Sequence, residues 1–299
     1  MKVALVTGFL GLSLLAAGPA VGAQQAAAPA PAAANYTVVS AIPYTTGAQG
    51  PLLADVYVPT AVGLHPGVIF IHGGGWKNGD RNQMVKIIKE IASAGYSCMT
   101  IEYDVDPVHF PASFHQSLAA LRFFRDHAAE YHLDPAHVAV AGSSAGGELA
   151  ALVALDPAGT PLGAPAGNSD SAGVQAALIF NGALDLTPID PSRGTAVSDY
   201  LGVSCTDRMD VCKAASPLYQ VHAGAPPFYV GHGTVDQSVP FGQAVAFTDA
   251  LKAAGVPVEF FVAKDGKHTY WADPRFYDTN VINIKAFLAK YLGGHGAAS

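Results

Sequence analysis

Charge is scarce in this chain: only 13% of its 299 residues are Asp, Glu, Lys or Arg, and the net charge of −7 comes from thinly spread acids. No Lys/Arg cluster occurs anywhere. Nucleic acid needs a basic stripe to neutralise its phosphates, so that partner is excluded. Cysteine is rarer still, with three residues, and no Cys/His spacing resembles a zinc site. Neither a metal nor any other cofactor is expected. Long apolar runs are also missing. The longest, Val3 to Ala17, is about 15 residues, short of the roughly 20 that cross a bilayer.

That first run reads as part of an export signal. Met1-Lys2 is a short positive start, Gly18-Pro19 ends the apolar stretch, and Val21-Gly22-Ala23 offers small residues before a cut ahead of Gln24. A signal peptide is therefore expected over 1–23, with no membrane anchor after cleavage and a secreted or periplasmic destination. Residues 24–34 are only Gln, Ala and Pro. They bury too little to fold and read as a disordered spacer. A single catalytic domain is expected over 35–299. In an oxidising compartment Cys205 and Cys212, seven apart in a polar loop, are expected to bridge, while Cys98 in an apolar run reads as a core thiol. The alternative is three free thiols. The sequence leaves the oligomeric state open.

Half of the residues are hydrophobic, enough for a large core. Short apolar runs alternate with helical periodicity from residue 36 onward. Strands are predicted at Tyr36–Ile42, Leu52–Val58, Gly67–Ile71, Ser97–Ile101, Val138–Ala141, Ala176–Phe180, Phe228–Val230 and Val258–Val262. Helices are predicted around Met84–Ile91, with Gly95 past its end, from Phe114 towards Tyr131, and at Ser144–Leu155, Gly242–Ala254 and Val281–Tyr291. Such alternation implies an α/β fold, a mostly parallel sheet of about eight strands covered on both faces. The first two strands lie too close together for a crossover and should form an antiparallel edge hairpin. Asp156–Gly173 and Leu184–Ala225 read as insertions above the sheet, the second as a small lid.

Gly142-Ser143-Ser144-Ala145-Gly146 is a G-x-S-x-G pentapeptide between an apolar strand and a small-residue helix. Glycines on both flanks permit the sharp turn that would hold Ser144 above a sheet. His72-Gly73-Gly74-Gly75-Trp76 follows the strand at Gly67–Ile71. Its glycines let backbone N–H groups approach a developing oxyanion, which Gly74, Gly75 and Ala145 are expected to receive. His72 reads as a support of that loop. The remaining partners should follow in the order serine, acid, histidine. Asp236 and His268 each sit on a loop past a predicted strand, in His232–Pro240 and Asp265–His268. Asp185, after Ala176–Phe180, is the rival acid, and His232 is expected to prop the acid loop. Trp76 and Trp271, with Phe110 and Tyr270, are candidates for an aromatic substrate-binding rim.

Through His72–Trp76, Gly142–Gly147, His232–Pro240 and Gly266–His268 the chain resembles the α/β-hydrolase serine esterases. It is similar to the hormone-sensitive-lipase-like carboxylesterases and to the feruloyl and acetyl-xylan esterase-like proteins, over residues 36 to 292. The resemblance implies ester hydrolysis through an acyl-enzyme, on a small-molecule or polysaccharide-linked ester with a short-acyl, carbohydrate or phenolic group. Ser143, where the lipase-like pattern usually has Asp, and the lack of a long N-terminal cap favour the feruloyl/acetyl side. An exported prolyl-oligopeptidase-like peptidase, a formamidase and an inactive hydrolase fold used for binding are the competing readings.

Overall fold

The computed structural model describes Met1 and residues 35–155, 173–187 and 195–293. The signal and spacer readings fall outside these residues, as do 156–172 and 188–194 of the two insertions.

Residues 35–293 build one sheet of eight strands among the described residues: β1 (Tyr36–Gly47), β2 (Gly50–Pro59), β3 (His65–Ile71), β4 (Ser97–Ile101), β5 (Leu133–Ser143), β6 (Ala176–Phe180), β7 (Phe228–Gly233) and β8 (Val258–Ala263). Their order across the sheet is β1-β2-β4-β3-β5-β6-β7-β8. The β1–β2 and β2–β4 pairings are antiparallel and the others parallel. All eight strands expected from sequence are present, and the first two form the edge hairpin.

The middles of the central strands, such as Val68–Ile71, Val138–Ala141 and Ala176–Phe180, are continuous apolar runs because both faces are covered. Alternate side chains sort into two cores. Ile69, Ile71, Val138, Val140, Ile179 and Val230 face α2 (Ala112–Asp126), α3 (Ala145–Leu155) and α6 (Phe241–Ala253). Val68, Phe70, Ala139, Ala141, Leu178 and Tyr229 face α1 (Val85–Ser93) and α7 (Pro274–Leu288). Helix α1 shows how little sequence this needs: Ile87, Ile88 and Ile91 are fully buried on one side, and Gly95 follows with φ +92°, a left-handed close that glycine permits.

Two helix limits differ from the sequence reading by more than three residues. Helix α2 stops at Asp126, and turns occupy the stretch to Tyr131. Helix α7 begins at Pro274, seven residues before the predicted start. The Asp273 side chain accepts from the Arg275 N–H at 2.9 Å, capping a free backbone amide of the first turn, and proline fits the first helical position. Tyr277 is already buried in the first turn and Phe276 packs beside it, so the apolar face starts one turn before Val281, masked in the sequence by Asp278, Thr279 and Asn280.

The second insertion contributes α4 (Ala196–Leu201) and α5 (Met209–Ala214). A disulfide joins Cys205 to Cys212 with 5.7 Å between their Cα atoms, and Cys98 is a buried free thiol. Tyr200, Leu201, Cys205 and Cys212 pack with Trp76, Ala145, Ala183 and Leu186. This third cluster lies over the C-terminal end of the sheet, where β3, β5 and β6 deliver their loops.

Candidate active site

Strand β5 runs directly into helix α3 through Ser144, which takes φ +57°. A non-glycine residue rarely adopts that conformation. The turn is held by the Ser144 N–H donating to the Phe180 carbonyl at 3.0 Å and by the Ser144 carbonyl accepting from the Gly147 and Glu148 N–H groups. A side chain at Gly142 would meet the Gly146 carbonyl oxygen at 2.0 Å, so glycine is required by close backbone approach.

Three strand ends bring three side chains into one row. Ser144 Oγ lies 2.9 Å from His268 Nε2, and His268 Nδ1 lies 2.8 Å from Asp236 Oδ2. The His268 side chain is 24% exposed while that of Asp236 is fully buried. Asp236 Oδ1 accepts from the Ser238 and Val239 N–H groups at 2.8 and 2.9 Å. Its Oδ2 also lies 3.1 Å from His232 Nε2, whose one N–H is shared with the Val239 carbonyl at 3.0 Å. Burial alone would raise the Asp236 pKa. The hydrogen bonds from His232, His268 and Val239 outweigh it and hold the carboxyl well below the usual carboxylate range. An ionised Asp236 accepts only, so the proton of neutral His268 sits on Nδ1 and the Nε2 lone pair faces the Ser144 hydroxyl.

The glycine loop lies against this row, with an ideal Cβ at Gly73 only 3.0 Å from Ser144 Cβ. Gly74, Gly75 and Trp76 have φ of +133°, +62° and +58° in succession. A side chain at Gly74 would meet the Asn78 carbonyl oxygen at 1.9 Å. The loop is pinned by the Gly73 N–H donating to Gln83 Oε1 at 2.6 Å and by Lys77 and Asn78 N–H groups converging on the Gly74 carbonyl at 3.2 Å. Ala145 is the first residue of α3, so its N–H is among those a helix start leaves without an intrahelical acceptor. His72 lies behind the loop, stacked on Tyr103 at 4.4 Å with Nδ1 2.7 Å from the Gly73 carbonyl. Burial pushes its pKa down.

Asp185 stands apart from His268. Its Oδ1 accepts from the N–H and hydroxyl of Thr187 at 3.0 and 2.7 Å, a local turn within its own loop. The aromatic rim expected from sequence is corrected. Trp76, Tyr270 and Trp271 are only 5%, 0% and 6% exposed, because Trp76 packs in the cluster under the cap and Tyr270 and Trp271 pack in the core shared with α1 and α7. Trp76 stacks on Tyr200 at 4.4 Å and donates its indole N–H to Glu148 Oε2 at 3.1 Å. Trp271 donates to Ser143 Oγ at 3.1 Å. Phe110 is half-buried and meets the Tyr200 ring edge-on at 5.8 Å.

Two polar residues escaped the sequence reading. Glu148 is fully buried, and a lone acid among Ala, Gly and Leu in α3 was the available signal. Asn181, also fully buried and with φ +42°, carries no such mark.

Residues 54–251 match the family model BD-FAE. Esterase LipQ of Mycobacterium tuberculosis is 33% identical over 240 residues, which cover 77% of this chain and 56% of that protein. The chain spans about half the length of the curated relatives it matches. Among solved structures, a truncated carbohydrate esterase from gut microbiota aligns with a TM-score of 0.76 at 24% identity, covering 87% of this chain and 98% of that one, a likeness of fold. Esterase Est2 of Thermogutta terrifontis aligns with a TM-score of 0.73 at 27% identity, covering 88% of this chain and 95% of that one. Its butyrate-bound form aligns equally well, at 0.73.

Proposed function

The chain belongs to the BD-FAE family and has an α/β-hydrolase fold, and on that premise we propose that it is a serine carboxylesterase acting through Ser144, His268 and Asp236. The observation that carries the reading is the continuous row from the Ser144 hydroxyl through His268 to Asp236, with contacts of 2.9 and 2.8 Å. His268 Nε2 takes the Ser144 proton as Oγ attacks the ester carbonyl carbon. The N–H groups of Gly74, Gly75 and Ala145 receive the oxyanion, each such donor being worth about 10²–10³ in rate. His268 then protonates the leaving alcohol, and water discharges the acyl-enzyme by the same steps in reverse. Asp236 stays ionised throughout, fixing the tautomer and stabilising the imidazolium.

The acyl group is short in this reading. Among the described residues the cap over the site holds two six-residue helices, α4 and α5, which offer little to enclose a long tail, and the related Thermogutta esterase is described with butyrate bound. The substrate in this reading is a short-acyl ester or an ester of a carbohydrate or phenolic compound. A disulfide between Cys205 and Cys212 fits an exported, oxidising compartment, and among the described residues no helix is long and apolar enough to cross a membrane.

The test is a fluorophosphonate probe with p-nitrophenyl esters of increasing chain length. Wild-type protein should label and turn over acetyl to butyryl esters best, and Ser144→Ala should do neither. Labelling that survives in Ser144→Ala overturns the nucleophile, and an optimum at ten carbons or more overturns the acyl preference.

A further inference from the structure

Behind the nucleophile lies a neutral polar cluster that the row of Ser144, His268 and Asp236 does not use. Ser143, Asn181 and Trp271 are 2%, 0% and 6% exposed. Each comes from a different place: the end of β5, the residue after β6, and the turn three residues beyond His268. Ser143 Oγ accepts from the Trp271 indole N–H at 3.1 Å and lies 3.5 Å from Asn181 Nδ2. Asn181 is held in its left-handed conformation by its own N–H, which donates to the Gly231 carbonyl at 2.8 Å. A fully buried amide in a backbone region that side chains rarely occupy calls for a reason at the site it faces.

That site is the His268 ring. Asn181 Nδ2 lies 3.5 Å from Nδ1 and 3.4 Å from Nε2. Both ring nitrogens are already engaged in the ring plane, by Asp236 and Ser144. A point in that plane equally far from both nitrogens at this range would collide with Cε1. The amide therefore rests on the ring face. We propose that Asn181, braced by Ser143 and Trp271, is a positioning residue that fixes the plane of the His268 imidazole.

The proposal rests on the esterase reading, since a fixed imidazole plane has a use only if His268 must meet both partners at once. Rotation of the ring about its side-chain bonds would break the Ser144 or the Asp236 contact. Asp236 already controls one edge; a second contact on the face removes the remaining freedom. The charged and titratable groups against the ring are Asp236 and, behind it, His232 near the end of β7; Asp265 and Lys267 belong to the histidine's own loop. The elbow and the end of β6 present only neutral groups, Ser143, Ser144 and Asn181. A carboxylate introduced at 181 would be a new charge directly against the imidazole.

The experiment uses the full chain. Asn181→Ala should lower kcat on p-nitrophenyl butyrate by about 10- to 100-fold with KM little changed, as a misaligned catalytic group does. Combining Ser143→Ala with it should cost nothing further, because Ser143 acts through Asn181. In Asn181→Asp the His268 titration midpoint should rise by about one pH unit or more. It is read from the histidine ring protons by NMR and assigned by its loss in His268→Ala. A folded Asn181→Ala with wild-type kcat, or an Asn181→Asp midpoint that does not move, overturns the proposal. Should Asn181→Ala fail to fold, the midpoint decides alone. A wild-type protein that neither labels with fluorophosphonate nor hydrolyses esters sinks the esterase reading instead, while the NMR midpoint still tests whether Asn181 bears on the ring.

Discussion

At the scale of single residues, most of the site's precision comes from backbone approach and from a saturated acid. Asp236 receives four hydrogen bonds, from His268, His232 and the Ser238 and Val239 N–H groups. Replacing it by Asn keeps the shape and removes the charge. The new amide can present N–H to His268 Nδ1, which moves the histidine proton to Nε2 and leaves no base facing Ser144. Asp236→Asn should lower kcat by about 10⁴-fold with folding preserved, and a loss below tenfold in a steady-state assay would refute the tautomer argument. Gly142→Ala acts differently. Its Cβ would sit 2.0 Å from a backbone carbonyl that cannot swing away, so the elbow itself must move. Such overpacking costs about 1–3 kcal/mol, and a thermal melt should show the loss even in protein that still labels weakly.

At the scale of elements, the cap is the part held by the fewest regular contacts. Helices α4 and α5 are six residues each, too short to persist alone, and the link between Cys205 and Cys212 closes a loop with a sequence separation of seven. Constraining so short a loop is worth about 2–2.5 kcal/mol in the chain-entropy picture. Reduction, or Cys212→Ser, should therefore lower Tm by roughly 4–10 °C for a domain of this size, measured with and without reductant; equal Tm values would show that packing alone holds the cap. The same contrast explains which elements the sequence disclosed. Buried strands and the α1 face were legible because burial forces apolar runs and helical spacing on Gly67–Ile71, Ala176–Phe180 and Ile87–Ile91. The start of α7 was not, because the polar run Asp278-Thr279-Asn280 separates Tyr277 from Val281 and hides the first turn of its apolar face. The positions of Ser144, Asp236 and His268 were legible because each needs a glycine-rich turn past a strand end. Asn181 was hidden because Asn-Gly after a strand reads as an ordinary exposed turn, and Trp76 and Trp271 were misread because an aromatic beside a site loop looks alike whether it faces solvent or core.

At the scale of the whole molecule, Glu148 joins the three parts that must stay in register: the nucleophile helix that carries it, the glycine loop through Trp76, and the cap through Tyr200, whose hydroxyl lies 3.4 Å from both carboxyl oxygens. Burial penalises its anion more than hydrogen bonds from Trp76 and Tyr200 favour it, so the folded protein holds this carboxyl well above the usual range. The unfolded chain releases the same proton near the ordinary value of about 4.3. Above that pH the unfolded state binds fewer protons than the folded state, and stability declines until the folded pKa is passed, by about 1.4 kcal/mol per pH unit. Asp236 acts in the opposite sense. Its folded pKa is depressed, so its contribution is present above the unfolded value of about 3.9 and is lost as pH falls below it. Glu148→Gln removes the first effect and keeps an amide oxygen to accept from Trp76. Its Tm should match or exceed wild type at pH 8 and lose that advantage towards pH 5, whereas Glu148→Ala, which strands the Trp76 and Tyr200 donors, should be less stable by about 1–3 kcal/mol at both. Melting curves of wild type and Glu148→Gln that stay parallel from pH 5 to 8 would mean that the carboxyl is ionised in the fold, and the junction of loop, helix and cap would then be held by a buried charge.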